Sequence, residues 1–250
     1  METPVRRLVP ECSQTTIGEV IDGLDLVSLA RDDRPYVITN FVLTLDGHAT
    51  IHGRSGPIGS DSDTAMLVGL RTRADAVMIG AGTMRAEGYG PPVSDPAKRE
   101  RRARDGLRAN PLMVIVSGRL DVPWEAPVFT EGAGEIVIAT ASEDEPPETE
   151  TPVHLVHHPE GVDLAALLAT LKAEHGVRAL LCEGGPRLHG QLIDAGLVDE
   201  LFVTHVPKLA GGVGPGLVSE LAEEVRELEL GWLLAEDETG ELFARYLVPD

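Results

Sequence analysis

Short apolar runs that recur between helical stretches constrain this chain most. Ala76–Ile79, Leu112–Ser117, Glu135–Thr140 and Arg178–Cys182 show almost no alternation of polar and apolar residues. A strand with one wet face alternates; an unbroken apolar run marks a strand covered on both faces, as in a parallel sheet crossed by helices. The intervening segments suit helices. Ser60–Asp63 offers capping side chains ahead of a stretch in which Met66, Leu67 and Leu70 recur at helical spacing. Asp163–Glu174 is amphipathic, and His175-Gly176 closes it with a glycine C-cap. Tyr36–Leu45, Val153–Val156 and Glu200–Val206 read as further strands, and Pro186–Ala195 as a helix. Glu227–Ala235 and Leu242–Val248 form a closing antiparallel pair. The expected fold is α/β: one domain over 35–250, a mixed, mainly parallel sheet with helices on both faces, and a C-terminal antiparallel hairpin. Residues 1–34 read as a polar leader packed on that domain, Gly88–Asn110 as a loop and 141–152 as a solvated acidic connector.

Composition narrows the function. Asp and Glu number 41 against 21 Lys and Arg, a formal charge of -20 over 250 residues. Such a surface does not suit a nucleic acid, whose binding depends on basic charge that releases counterions. No apolar run is long enough to span a bilayer, and the opening METPVRRLVPECSQTT lacks the apolar region of a secretory signal. A reduced cytoplasmic protein is expected. Cys12 and Cys182 have no metal-ligand spacing, His154, His157 and His158 form no helical metal pair, and no metal is expected. The basic run KRERRARDGLR has no interleaved aromatic residue and reads as solvated.

Two glycine turns carry the chemistry. Gly80-Ala81-Gly82-Thr83 follows a buried strand and precedes a helical turn, where glycines let a ligand approach the backbone. It departs from the dinucleotide fingerprint, because Arg85 holds the third glycine position. Glu183-Gly184-Gly185-Pro186-Arg187-Leu188 repeats the strand, turn, helix pattern, with Pro186 suited to a first helical turn. Together they make a pyrophosphate cradle or two tight turns. A third cluster, GGVGPG at 211–216, reads as a flexible turn.

In order along the chain, VITNFVLTLDG, GRSGPIGSDSD, LRTRADAVMIGAGTM and LLCEGGPRLHGQLIDAGLVDEL resemble the reductase domain of riboflavin biosynthesis, in particular its free-standing pyrimidine reductases. That family has a dihydrofolate-reductase-like fold and uses NADPH. The resemblance implies reduction of 5-amino-6-(5-phosphoribosylamino)uracil, a small heterocyclic metabolite, by a homodimer. A dihydrofolate reductase analogue and a non-catalytic NADP-binding protein stand as alternatives. It implies cofactor contacts at Gly80, Gly82, Thr83, Glu87, Ser117, Arg119 and Gly184 through Leu188, with Arg119 for the 2′-phosphate. Substrate contacts fall on Asn40, Asp46, Ser55, Arg71 and Glu183. Asp63 is the catalytic candidate: it would read an amide or amidine edge, and it or water would deliver the proton that accompanies the hydride. Where the family continues with an acidic pair, Pro and a phosphate-binding Arg, this chain has RAEGYGPPV.

Overall fold

The computed structural model describes residues 3–221 and 223–249. In chain order the elements are β1 (Pro4–Val9), β2 (Ser13–Thr16), α1 (Ile17–Asp22), β3 (Tyr36–Thr44), α2 (Asp61–Arg73), β4 (Ala76–Gly80), α3 (Ala81–Glu87), α4 (Pro96–Arg104) and β5 (Leu112–Val116). Then follow α5 (Pro127–Thr130), β6 (Ile136–Thr140), β7 (Val153–His157), α6 (Leu164–His175), β8 (Ala179–Cys182), α7 (Pro186–Asp194), β9 (Glu200–Val206), β10 (Glu229–Ala235) and β11 (Leu242–Leu247). They pack as two compact units. The first takes the residues through Asp25, Val37–Leu70 and those from Pro186 on; the second takes Leu26–Tyr36 and Arg71–Gly185.

The second unit is the parallel part. Its strands run β8-β4-β5-β6-β7, every neighbouring pair parallel. Val77, Met78, Val114, Ile115, Val137, Ile138, Leu180 and Leu181 are all fully buried, as the unbroken apolar runs require. Asp75 ties the strand starts together. Its carboxylate accepts the backbone N–H groups of Arg178 and Ala179 at 2.9 and 3.2 Å and the Arg178 guanidinium at 3.0 Å.

The first unit is mostly antiparallel, in the order β2-β1-β10-β11-β9-β3, and only β9–β3 pairs in parallel. The expected hairpin is β10–β11, but the leader is a builder and not a covering: β1 pairs with β10 and β2 with β1. The polar composition of this segment suits an edge, where one face and one rim stay wet. Thr16 caps α1 through a reciprocal capping box with Glu19.

The basic run differs most from expectation. Within the 88–110 segment Asp95 caps α4 and Pro96 occupies its first turn. Arg102 is buried at 1% exposure. Its guanidinium donates to the carbonyls of Arg71 at 2.7 Å, Ala74 at 2.8 Å and Arg108 at 2.9 Å, supplying donors to the end of α2. Burial lowers its pKa to about 10, which still leaves it charged at neutral pH, and Asp75 pulls the other way. Arg102→Ala strands these carbonyls and opens a cavity, so the unfolding free energy from urea titration should fall by at least about 2 kcal/mol. A change within about 0.5 kcal/mol would mean that water already serves these carbonyls.

Candidate active site

The glycine turns of the second unit are tied to each other. Gly80 N–H donates to the Gly184 carbonyl at 2.7 Å, and a Cβ on Gly185 would lie 2.9 Å from Thr83 Oγ1. Gly185 is therefore needed first for packing against the Thr83 side chain, and Gly184 at φ 92 occupies a backbone region that favours glycine. By contrast, a Cβ on Gly82 or Gly118 would meet nothing within 4 Å. Ser117, at the end of β5, is buried, whereas Arg119 is exposed and meets no hydrogen-bond or ion-pair partner among the described residues. Glu87 closes α3 just before Gly88, a left-handed cap.

Arg71 and Glu183 come together in the same unit as a buried ion pair. Arg71 Nε and Nη2 donate to the two Glu183 oxygens at 2.6 and 2.7 Å, a bidentate fork. The Tyr89 hydroxyl donates to Glu183 Oε2 at 2.6 Å, and Arg71 also donates to the Pro92 carbonyl at 3.1 Å. The guanidinium carbon sits 5.6 Å from the Tyr89 ring centre. Burial and the Glu183 charge push the Tyr89 phenol well above its ordinary value. Burial opposes the charge on Arg71, yet Glu183 against it holds the guanidinium above its usual range. The two residues expected to touch substrate thus hold each other. Tyr89 escaped sequence reasoning; its signal was one aromatic in a glycine–proline loop of a chain only 4% aromatic.

The first unit gathers Asp63, Asn40 and Asp46. The register puts Asn40 opposite Phe202 and Val42 opposite Thr204, so Asn40 and Thr204 share one face of the β3–β9 pair. Asp63, in the first turn of α2, takes a hydrogen bond from the Thr204 hydroxyl. A Cβ on Gly59 would lie 2.2 Å from Asp63 Oδ2, so only glycine at 59 leaves room for the carboxyl where it lies. Asp63 Oδ1 and Asn40 Oδ1 are both buried without a hydrogen-bond partner. Burial raises the Asp63 carboxyl from 3.8 to about 6; Glu241 adds to the rise, while Thr204 and Lys208 oppose it.

Asp46 has a different task. Its carboxylate accepts the Thr44 hydroxyl at 2.6 Å and the N–H groups of Ala210 and Gly211 at 3.1 and 2.7 Å, which hold it well below the usual carboxylate range. It clips the 211–216 loop. His48 lies beneath the same loop, 2.6 Å from where a Cβ on Gly214 would stand. Ser55 sits in the turn before α2, where its carbonyl accepts Ile58 N–H at 2.8 Å. Of the remaining cofactor candidates, the Pro186 carbonyl accepts Ser219 N–H at 3.0 Å, Arg187 pairs with Glu220 at 2.8 Å on the surface, and Leu188 is buried.

The model of the RibD C-terminal domain matches residues 35–235. The chain belongs to the RibD C-terminal domain family. Two archaeal relatives named 2,5-diamino-6-ribosylamino-4(3H)-pyrimidinone 5′-phosphate reductase are similar to it. The one from Archaeoglobus fulgidus is 36% identical over 72% of this chain and 83% of its own length. The one from Methanothermobacter thermautotrophicus is 31% identical over 82% of this chain and 95% of its own length. The fold is shared with a crystal structure of a pyrimidine reductase-like protein from Corynebacterium diphtheriae, with a TM-score of 0.76 at 22% identity over 94% of this chain and 100% of that one. Among the described residues no group of three His, Cys, Asp or Glu could hold a metal, and no helix is long and apolar enough to cross a membrane. The family segment ends at 235, so the turn before β11 and β11 itself lie beyond it.

The buried Asp63 carboxyl makes a prediction about stability. Below its unfolded value of 3.8 the group is neutral in both states; between that value and about 6 the unfolded chain ionises while the folded protein, which disfavours the charge, still holds the proton. The wild type therefore loses stability as pH rises through this window. Asp63→Asn, which stays neutral, should be more stable at pH 7 by roughly 1–3 kcal/mol, with the gain vanishing near pH 4 in denaturant titrations. An Asn variant less stable at pH 7 would contradict this.

Proposed function

We propose that the chain is an NADPH-dependent reductase that converts the ribosyl group of a 6-ribosylaminopyrimidine 5′-phosphate to ribityl. Kinship to proteins named for that reaction supports the reading, and one observation within the chain carries it. A buried carboxyl with an unpartnered oxygen, raised to about 6, is the acid such a reduction needs. As C1′ of the ring-opened, imine-like sugar gains a hydride, the nitrogen joining it to the pyrimidine must gain a proton, and Asp63 delivers it.

The pyrimidine edge points to the diamino form. In 2,5-diamino-6-ribosylamino-4(3H)-pyrimidinone the 2-amino group and the neighbouring ring N–H donate side by side. The uracil counterpart presents alternating acceptors and a donor there. Asn40 Oδ1, a buried acceptor with no partner, suits a donating edge. Asp46 acts on the 211–216 loop and not on substrate, and the Arg71–Glu183–Tyr89 cluster sets the geometry of the turn after β8.

NADPH, when bound, supplies the hydride. The residues of the second unit fit such a cofactor at three points: Gly82 and Gly118 leave open backbone, and Arg119 offers an exposed guanidinium for the 2′-phosphate. A homodimer belongs to the same reading, supported by exposed Leu228, Leu230 and Leu242 at and beside the β10–β11 pair.

NADPH absorbance followed with the diaminopyrimidinone phosphate, the uracil phosphate and dihydrofolate as separate substrates tests this. The diamino compound should be turned over fastest and dihydrofolate not at all; oxidation by neither pyrimidine would overturn the reading. Arg119→Ala should weaken NADPH binding by about 1.5–3 kcal/mol with little change for NADH, whereas equal losses for both cofactors would remove Arg119 from the 2′-phosphate.

A further inference from the structure

The Asp63 carboxyl does not stand alone. Glu241, in the turn leading into β11, is 2% exposed although it carries a carboxylate, and it lies past the segment that the family model matches. Glu241 Oε2 accepts the Ser60 hydroxyl at 2.6 Å. Ser60 in turn holds the start of α2: its hydroxyl oxygen accepts Ser62 N–H at 3.0 Å, and its carbonyl accepts both the N–H of Thr64 at 3.0 Å and its hydroxyl at 3.1 Å. Asp63 lies inside this turn, its carboxyl resting on Gly59. Strand register agrees: Phe243 pairs with Thr204, so Glu241, two residues before Phe243, is placed on the Thr204 face. All of these residues lie in the first unit.

We propose that Glu241 is a positioning residue for the Asp63 acid, anchoring the first turn of α2 through Ser60 and setting a negative charge beside the carboxyl. The proposal rests on the reading of Asp63 as proton donor. A buried Glu whose carboxylate meets, among the described residues, a single side-chain donor, the Ser60 hydroxyl, is costly to keep in a fold, and here its charge serves a purpose. Three groups act on Asp63 from neighbouring elements. Glu241 from the β11 turn disfavours loss of its proton, whereas Lys208 after β9 and the Thr204 hydroxyl favour it. The Lys208 ammonium itself donates to the Ile58 carbonyl. On α2 itself Asp61 is exposed. The balance raises the share of molecules in which Asp63 keeps its proton, which a donor requires.

Glu241→Gln keeps an acceptor for Ser60 and removes the charge. Two measurements read it: the pH dependence of kcat for NADPH oxidation with the diaminopyrimidinone phosphate, and carbon-13 NMR titration of the Asp63 carboxyl in the free protein, assigned with Asp63→Asn. Both the alkaline limb and the NMR titration should move down by about half a pH unit, a factor of about three in rate above the limb. Glu241→Asp, which keeps the charge, should restore the limb. Ser60→Ala should lower kcat several-fold while leaving the titration raised. If Glu241→Gln moves neither measurement, or if Ser60→Ala keeps wild-type kcat, the proposal is overturned. Should the Gln variant not fold, the Glu241→Asp limb and the Ser60→Ala kcat decide it in the same sense. A titration that moves in a protein that turns over neither pyrimidine would sink the functional reading and leave the Glu241–Asp63 link standing.

Discussion

The cost of burying a carboxylate organises this chain. With acidic residues in large excess, several acids go inside, and an unpaired carboxylate there costs several kcal/mol. Each is therefore spent on holding two segments together. Asp75 binds the backbone that opens β8, Asp199 accepts Val37 N–H at 2.7 Å beside the start of β3, and fully buried Glu200 meets the Arg245 guanidinium through both oxygens. Glu183 follows the same rule with Arg71 and Tyr89. Strand starts and turns are pinned by charge as much as by apolar packing. Asp63 breaks the pattern, with one oxygen left without a partner. Glu241, held by the Ser60 hydroxyl, is another acid of this unit that the fold leaves without a cation among the described residues.

The sequence made the parallel strands legible because burial on both faces demands unbroken apolar runs, and these runs are visible by eye. Caps were legible for the same local reason: Asp163 and Gly176 bound α6 as expected. The leader and α4 were not. β1 and β2 owe their existence to partners far along the chain, and edge strands need few apolar residues. α4 looks solvated by composition, and nothing local marks Arg102 among its neighbours as the one that turns inward to the end of α2.

Site residues divided along the same line. Asn40 and Asp63 lie in one unit, each with a buried, open acceptor. Arg71 and Glu183 were read singly, and only the three-dimensional pairing shows that they satisfy each other. Gly59 and Glu241 were invisible to motif reasoning, since one acts by lacking a Cβ and the other arrives from the end of the chain.

Asp46 and Asp63 belong to one unit yet answer to acid in opposite ways. Three donors hold Asp46 ionised far into the acid range, so the clip on the 211–216 loop persists there. Asp63 takes up its proton at only mild acidity. Mild acidification therefore protonates Asp63 while the loop beside β3 keeps its shape. In this unit proton uptake and architecture are uncoupled along the pH axis, and conditions that favour the first need not weaken the second.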